Sequence, residues 1–538
     1  MMHLVLLTAL ALTPRPASLD IVADCGATAD DGTDDTLAIR ACIEQEPRVL
    51  VIPLGVFDVK HLASNKTTAL PLTTSDTVVT GLGVGSVVRL IRDEFGFSGG
   101  RIFGVAPKTG QNIARVTIRN LTIDGGRPGT CLEAKHTPGS DPGDGRGQQQ
   151  FGVIIGGGCV KNAADELGCL DTASDITVEN VNFTGLSGDA VYLYNNVDGF
   201  RLEGQTLGGW CRAAIAMNAY EHCDQHTNPT SWDEMEATRV AKGQIPAARP
   251  FVPGLPKRGL RNVVVDGNLM VADPTATQSS RAIDVEPNAR VCSIDITGNR
   301  LDQVEAGGVV GLLVERNIFA TTGDQLGGSL ALVRVEDAVV RSNVFRPETD
   351  AQPPLYLRIM TRTKVYDNDI RTALQTSCIS LTNNGIHPSV DAAFRGNSCI
   401  YTGPLSDRVG IYTTGLYGIL TATENTVIGY RDALSFRGGD DVLVQNNYWD
   451  VVRMGVSALS ETPPMGTLTI GGNRGHADIA YWLQGAAFAG EVRDCGGSTT
   501  GRRLPKLSPL TPCSPAAALT QASIDDHESR LQALEAAP

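Results

Sequence analysis

Hydrophobic and polar positions alternate along this chain in short bursts. From about residue 112 onward, stretches of alternating character end in asparagine followed by another apolar position: VVVDGNLM at 263–270, IDITGNRL at 294–301, LLVERNIF at 312–319, AVVRSNVF at 338–345. Strict alternation over a few residues predicts half-buried strands. The matching asparagines are Asn268, Asn299, Asn317, Asn343, Asn368, Asn397, Asn425, Asn447 and Asn473, which span 205 residues in eight steps of about 26. A period in that range marks a solenoid or a propeller. A second strand family lies between them, with DAVYLY at 189, RAIDVE at 281, PLYLRIM at 354 and ALSFRG at 433. Two or three short strands per repeat make one turn of a parallel β-helix, whereas a propeller blade needs four strands and a longer repeat. At an inward corner the repeated asparagine has a task. Its amide can bond the backbone of neighbouring turns and the next asparagine, satisfying bent backbone.

Ahead of the repeat, Thr33, Asp34 and Asp35 supply an N-cap and first-turn acids for a short helix with Leu37, Ile39, Ala41 and Ile43 as its apolar set, and the strand VLVIP follows. The order Asp24-Cys25-Gly26-Ala27, Asp31-Gly32, Asp34-Asp35-Thr36, Ala38-Ile39, then Pro53-x-Gly55-x-Phe57, resembles the N-terminal segment of the pectate lyase superfamily domain. That segment recurs in polysaccharide lyases, relatives of polygalacturonases, alginate epimerases and phage tailspikes. The resemblance implies an all-β fold, a right-handed parallel β-helix whose first turn is plugged by this helix and strand. These acids then cap and turn rather than catalyse. The expected organisation is a signal peptide at 1–18, the cap at 19–60, the β-helix at 61–495 with excursions at 131–150 and 219–259, and a linker and C-terminal helix at 496–538.

Composition narrows the partners. With 45 Lys and Arg against 59 Asp and Glu the net charge is −14, so no overall field draws nucleic acid or an anionic membrane. No apolar run reaches the ~18 residues of a membrane-spanning helix. Twelve cysteines without a CxxC pair read as disulfides in an oxidising compartment. Neighbours at loop-closing distance are 25 with 42, 159 with 169, 211 with 223, 378 with 399 and 495 with 513, the connectivity being open. The apolar run Leu4 to Leu12, followed by Pro14, Pro16 and Ala17, resembles a signal peptide cleaved near Ala17 or Ser18, although a positive n-region is missing. A secreted or extracellular protein is expected. Ile524, His527, Leu531 and Leu534 fall at heptad a and d positions; two heptads are too short to be stable alone, so the segment is either a frayed terminal helix or one that zips a homo-oligomer, such as a trimer, together.

Candidate chemistry follows from stacking the second strand family. Taking Val191, Ile215 and Ile283 as inward puts Tyr192, Ala216 and Asp284 in one outward column and Tyr194, Asn218 and Glu286 in the next. Asp284 and Glu286 then project from one face about 6.6 Å apart, at the low end of the ~6.5–9.5 Å range of an inverting glycosidase pair. Arg281 and Arg212 begin their strands, and Trp232 lies on the excursion between them. The catalytic candidates are Asp284, Glu286, Arg281 and Arg212; the substrate-binding candidates are Tyr192, Tyr194, Asn218 and Trp232. The block RAIDVEPN also resembles an Ile-Asp-x-Glu-Pro strand found in secreted β-helix proteins, without naming a reaction. A lyase would use the same patch differently, with arginine and tyrosine as neutraliser and base and Ca2+ held by Asp284 and Glu286. The expectation is a secreted enzyme that degrades a pectin-like or other uronate-containing polysaccharide, as lyase or glycoside hydrolase. The alternative is a non-catalytic glycan-binding or tailspike-like surface protein in which this is a solvated acidic strand.

Overall fold

The computed structural model describes residues 15–61, 68–91, 100–108, 110–127, 131, 150–157, 159–161, 167–169, 171–219, 259–273, 281–286, 291–320, 328–348, 352–383, 389–404, 407–459, 466–484, 492–494, 497–504 and 511–512. The chain forms two compact units, residues 1–215 and 216–538. Within each, the chain coils through short strands that pair in parallel with those of the preceding and following turns, giving a right-handed parallel β-helix.

Alternation along the strands becomes columns across the turns. In the first unit, Leu70, Phe103, Val153 and Val191 share one register position and are fully buried. In the second, Ile283, Val304, Leu330, Leu355, Ile379, Ile411, Leu434 and Val456 do the same. Each inward side chain contributes roughly 1.5–3 kcal/mol of burial, so a slip by one residue would turn a whole column to water.

The asparagine corners of the second unit hold this register. The residue before each ladder asparagine is left-handed, from Gly267 (φ 65°) through Arg316 (φ 55°) and Ser342 (φ 55°) to Gly472 (φ 62°). The bend turns the next side chain inward. Asn343 is typical: its Nδ2 donates to Asn368 Oδ1 at 3.0 Å and to the Val314 carbonyl at 2.9 Å. Its own Oδ1 accepts from the Asn317 backbone N–H and Nδ2, both at 3.0 Å. The same pattern runs from Asn268 to Asn473, every member 2% exposed or less. In the first unit Leu121 and Val181 occupy the corresponding corners, and Gln205 does the amide's work by accepting the Val181 N–H at 2.6 Å and donating to the Val178 carbonyl at 2.8 Å.

The N-terminal helix spans Thr36–Glu44 and buries Thr36, Ile39 and Cys42. The expected apolar set is corrected, because residues two apart cannot share one face of a 3.6-residue helix; Leu37 is 66% exposed. Asp34 accepts from the Thr36 N–H and hydroxyl, while Asp35 turns back to the Thr28 N–H. Both acids are structural.

Disulfides join Cys25 to Cys42 and Cys378 to Cys399. Cys211 bonds Cys131, 80 residues away, not Cys223; stacked turns bring distant residues together, which spacing along the chain cannot show. Cys159 and Cys169 stand opposite each other in a two-stranded antiparallel ribbon. The 495–513 pairing lies outside the described residues. At the N-terminus, Arg15 donates to the carbonyls of Glu46, Pro47 and Ser75, and Pro16 accepts from the Arg48 N–H, so residues ahead of Ala17 are tied into the first turn. At the other end pairing runs past residue 495, through Gly497–Leu504 and Thr511–Pro512. The predicted C-terminal helix lies outside the described residues, and no described helix is long and apolar enough to cross a membrane.

Asn343→Ala leaves the buried Asn317 backbone N–H without its acceptor and takes the amide donor away from the Val314 carbonyl. The expected loss is about 2–4 kcal/mol in chemical denaturation; a loss below about 0.5 kcal/mol would mean the ladder does not hold the coil.

Candidate functional site

The strand Arg281–Val285 is laid down by its inward residues Ile283 and Val285, both fully buried, which leaves Asp284 on the outward side. Its registered neighbour one turn on is Glu305. Neighbouring parallel strands lie about 4.8 Å apart, so two carboxylates face the same way at close range. Arg281 bridges them: Nη1 lies 3.2 Å from Asp284 Oδ2 and Nη2 lies 2.5 Å from Glu305 Oε2. Asp284 is only 7% exposed. Burial pushes the Glu305 carboxyl above its ordinary range; Arg281 opposes the shift, and the Asp284 charge adds to it.

Glu286 follows the strand. Its backbone N–H donates to the Met217 carbonyl, and its Oε2 accepts a hydrogen bond from Asn218 Nδ2 at 2.6 Å. The structure therefore pairs Asp284 with Glu305 across a turn, not with Glu286 along the strand. Glu305 was missed because no motif surrounds it. Extending the column alignment by one turn, from IDVE to VEAG, would have found it.

The same outward columns continue through the second unit. Glu305 is followed by Ala331, Tyr356, Ser380, Tyr412, Ser435, Ser457 and Trp482, Val333 by Arg358 and Thr382, and Thr414 by Arg437. Tyr356, Tyr412 and Trp482 are half-buried, while the serines between them are 5% exposed or less. The Arg437 guanidinium lies 5.6 Å from the Tyr412 ring centroid, within cation–π range.

The remaining candidates lie in the first unit. Tyr192 and Tyr194 are outward and half-buried, with ring centroids 6.0 Å apart and nearly parallel; Phe151 packs 4.7 Å from Tyr192. Arg212 forms an ion pair of 3.2 Å with fully buried Asp189. A lyase neutraliser must be available to a substrate carboxylate, and this guanidinium is already held by one. Trp232 lies outside the described residues.

The Ca2+ idea fails on the donor set. A guanidinium occupies the space between Asp284 and Glu305, Glu286 is engaged by Asn218, and no group of three His, Cys, Asp or Glu among the described residues is arranged to hold a metal. No step is assigned to a metal.

No protein-family profile and no curated protein sequence matches the chain. Among solved structures it is similar to the A-module of mannuronan C-5 epimerase AlgE4 from Azotobacter vinelandii, with 13% identity, TM-score 0.40, and 91% of this chain and 98% of that one covered. The Streptococcus pneumoniae surface protein and adhesin PfbA gives 14%, 0.43, 90% and 100%. DFA-IIIase from Arthrobacter chlorophenolicus A6 gives 12%, 0.41, 84% and 94%. Likenesses this distant transfer no residue role. The parallel register itself defines the class, a parallel β-helix.

Because the folded Glu305 holds its proton more tightly than the unfolded chain does, its contribution to stability is complete at acid pH and is lost as pH rises through its folded titration. Glu305→Gln should flatten that fall, measured by chemical denaturation from acid to neutral pH. A slope identical to wild type would show that burial does not control this carboxyl.

Proposed function

We propose that this protein is a secreted glycoside hydrolase acting on a polysaccharide that lies along the outward columns of the second unit. The observation that carries the reading is the pair Asp284 and Glu305, two carboxylates on adjacent turns in unequal environments. Unequal carboxyls are what acid and nucleophile roles require. Glu305, whose carboxyl burial shifts upward against the pull of Arg281, donates its proton to the glycosidic oxygen as the bond to the anomeric carbon breaks. Asp284 attacks that carbon from the opposite side and forms a glycosyl ester. Glu305, now ionised, takes a proton from water, which hydrolyses the ester. Arg281 positions both carboxylates. Register neighbours on parallel strands stand about 4.8 Å apart, a spacing nearer the ~5–5.5 Å of retaining enzymes than the ~6.5–9.5 Å of inverting ones.

The aromatic column supports a polymeric substrate. Tyr356, Tyr412 and Trp482 are set two and three turns apart, and flat rings along an extended track suit the apolar faces of successive sugars. β-Elimination is less well supported, because Arg281 and Arg212 are each held by protein carboxylates. The disulfides and the absence of a spanning helix among the described residues support an extracellular setting.

A second reading has its own observation. One arginine clamping two acids is also a structural ion-pair cluster, and a non-catalytic glycan-binding surface would keep the aromatic track without needing an acid and a nucleophile.

Asp284→Asn and Glu305→Gln should each lower kcat by about 10²-fold or more with little change in melting temperature, and proton NMR of early products should show retained anomeric configuration. Wild-type rates in both variants would remove the pair from the chemistry.

A further inference from the structure

A second feature lies in the first unit, apart from any carboxylate chemistry. Arg101 opens the strand Arg101–Val105, in register with Phe151 and Asp189 on the next two turns. Its Nε is buried and meets no hydrogen-bond acceptor among the described residues. The guanidinium makes no ion pair with any described carboxylate; Asp189, which shares its register, is paired with Arg212. Burial depresses the Arg101 guanidinium, opposed by the phenols of Tyr192 and Tyr194. A largely buried cation without a counter-charge is costly, and arginine is almost never placed so without a partner.

The surroundings suggest the partner. Tyr192 and Tyr194 stand nearly parallel beside it, with Phe151 against Tyr192. The outward position on Arg101's own strand, in register with Ile154 and Tyr192, is Gly104, against which the Thr68 side chain of the preceding turn packs. A fork of N–H donors beside aromatic faces fits an anionic group carried on a ring.

We propose that the first unit carries a binding site for acidic glycans, in which Arg101 receives a carboxylate or sulfate group and the Tyr192 and Tyr194 rings rest against the sugar that bears it. The site does not depend on the hydrolase reading and stands if that reading fails. It also answers a difficulty of composition, since a chain with net charge −14 repels polyanions except where a local cation is left uncompensated.

Affinity electrophoresis of the full chain through gels containing polygalacturonate, dextran sulfate or neutral dextran tests the proposal. Wild type should be retarded by an acidic polymer and not by neutral dextran; retardation by polygalacturonate identifies a uronate carboxylate, by dextran sulfate alone a sulfate ester. Arg101→Met should weaken that binding about tenfold or more without lowering the melting temperature, because it removes an uncompensated buried charge. Arg101→Lys should retain part of the binding. The proposal is overturned by equal retardation in neutral and acidic gels, by wild-type binding in Arg101→Met, or by failure of Arg101→Met to fold when acidic oligosaccharides leave the wild-type melting temperature unchanged.

Discussion

One amide on each turn governs the second unit. Every ladder asparagine sits after a left-handed residue, points inward, and spends its side chain on the backbone and side chain of adjacent turns. A buried corner cannot leave its carbonyls and N–H groups unmet. The asparagine meets them and repeats at the same point of each coil, so turn length can vary elsewhere without disturbing register. Steps of 18 and 31 residues both end at the same rung.

That fixed register gives the outward columns their meaning. Because Ile283 and Val304 are locked inward, Asp284 and Glu305 must face outward together. The same constraint lines up Tyr356, Tyr412 and Trp482 over small serines. The first unit lacks the asparagine run and has Leu121, Val181 and Gln205 at its corners, yet its paired strands align Arg101 with Phe151 and Asp189 in the same manner.

The fold was legible in the sequence because its determinants are periodic: alternation, the corner asparagines and the capping segment each repeat or follow a fixed order. The site was legible only along a strand. Asp284 and Glu286 stand two residues apart and catch the eye, whereas Glu305 and Arg101 gain their significance from residues on other turns. Cys211 fell to the same limit, its partner lying 80 residues away. Loop lengths between strands vary, so spacing along the chain does not encode neighbours across it. The helix face was misjudged for a simpler reason, an alternating pattern applied to a helical segment.

The central claim is that an unequal carboxyl pair on a β-helix face cleaves glycosidic bonds by hydrolysis. The most direct measurement is incubation of the purified protein with a panel of uronate and neutral polysaccharides, following reducing ends and the ultraviolet absorbance of unsaturated uronates together. Hydrolysis predicts new reducing ends without new absorbance. Absorbance rising with the reducing ends would establish elimination instead, and no product from any polymer would leave the face a binding surface.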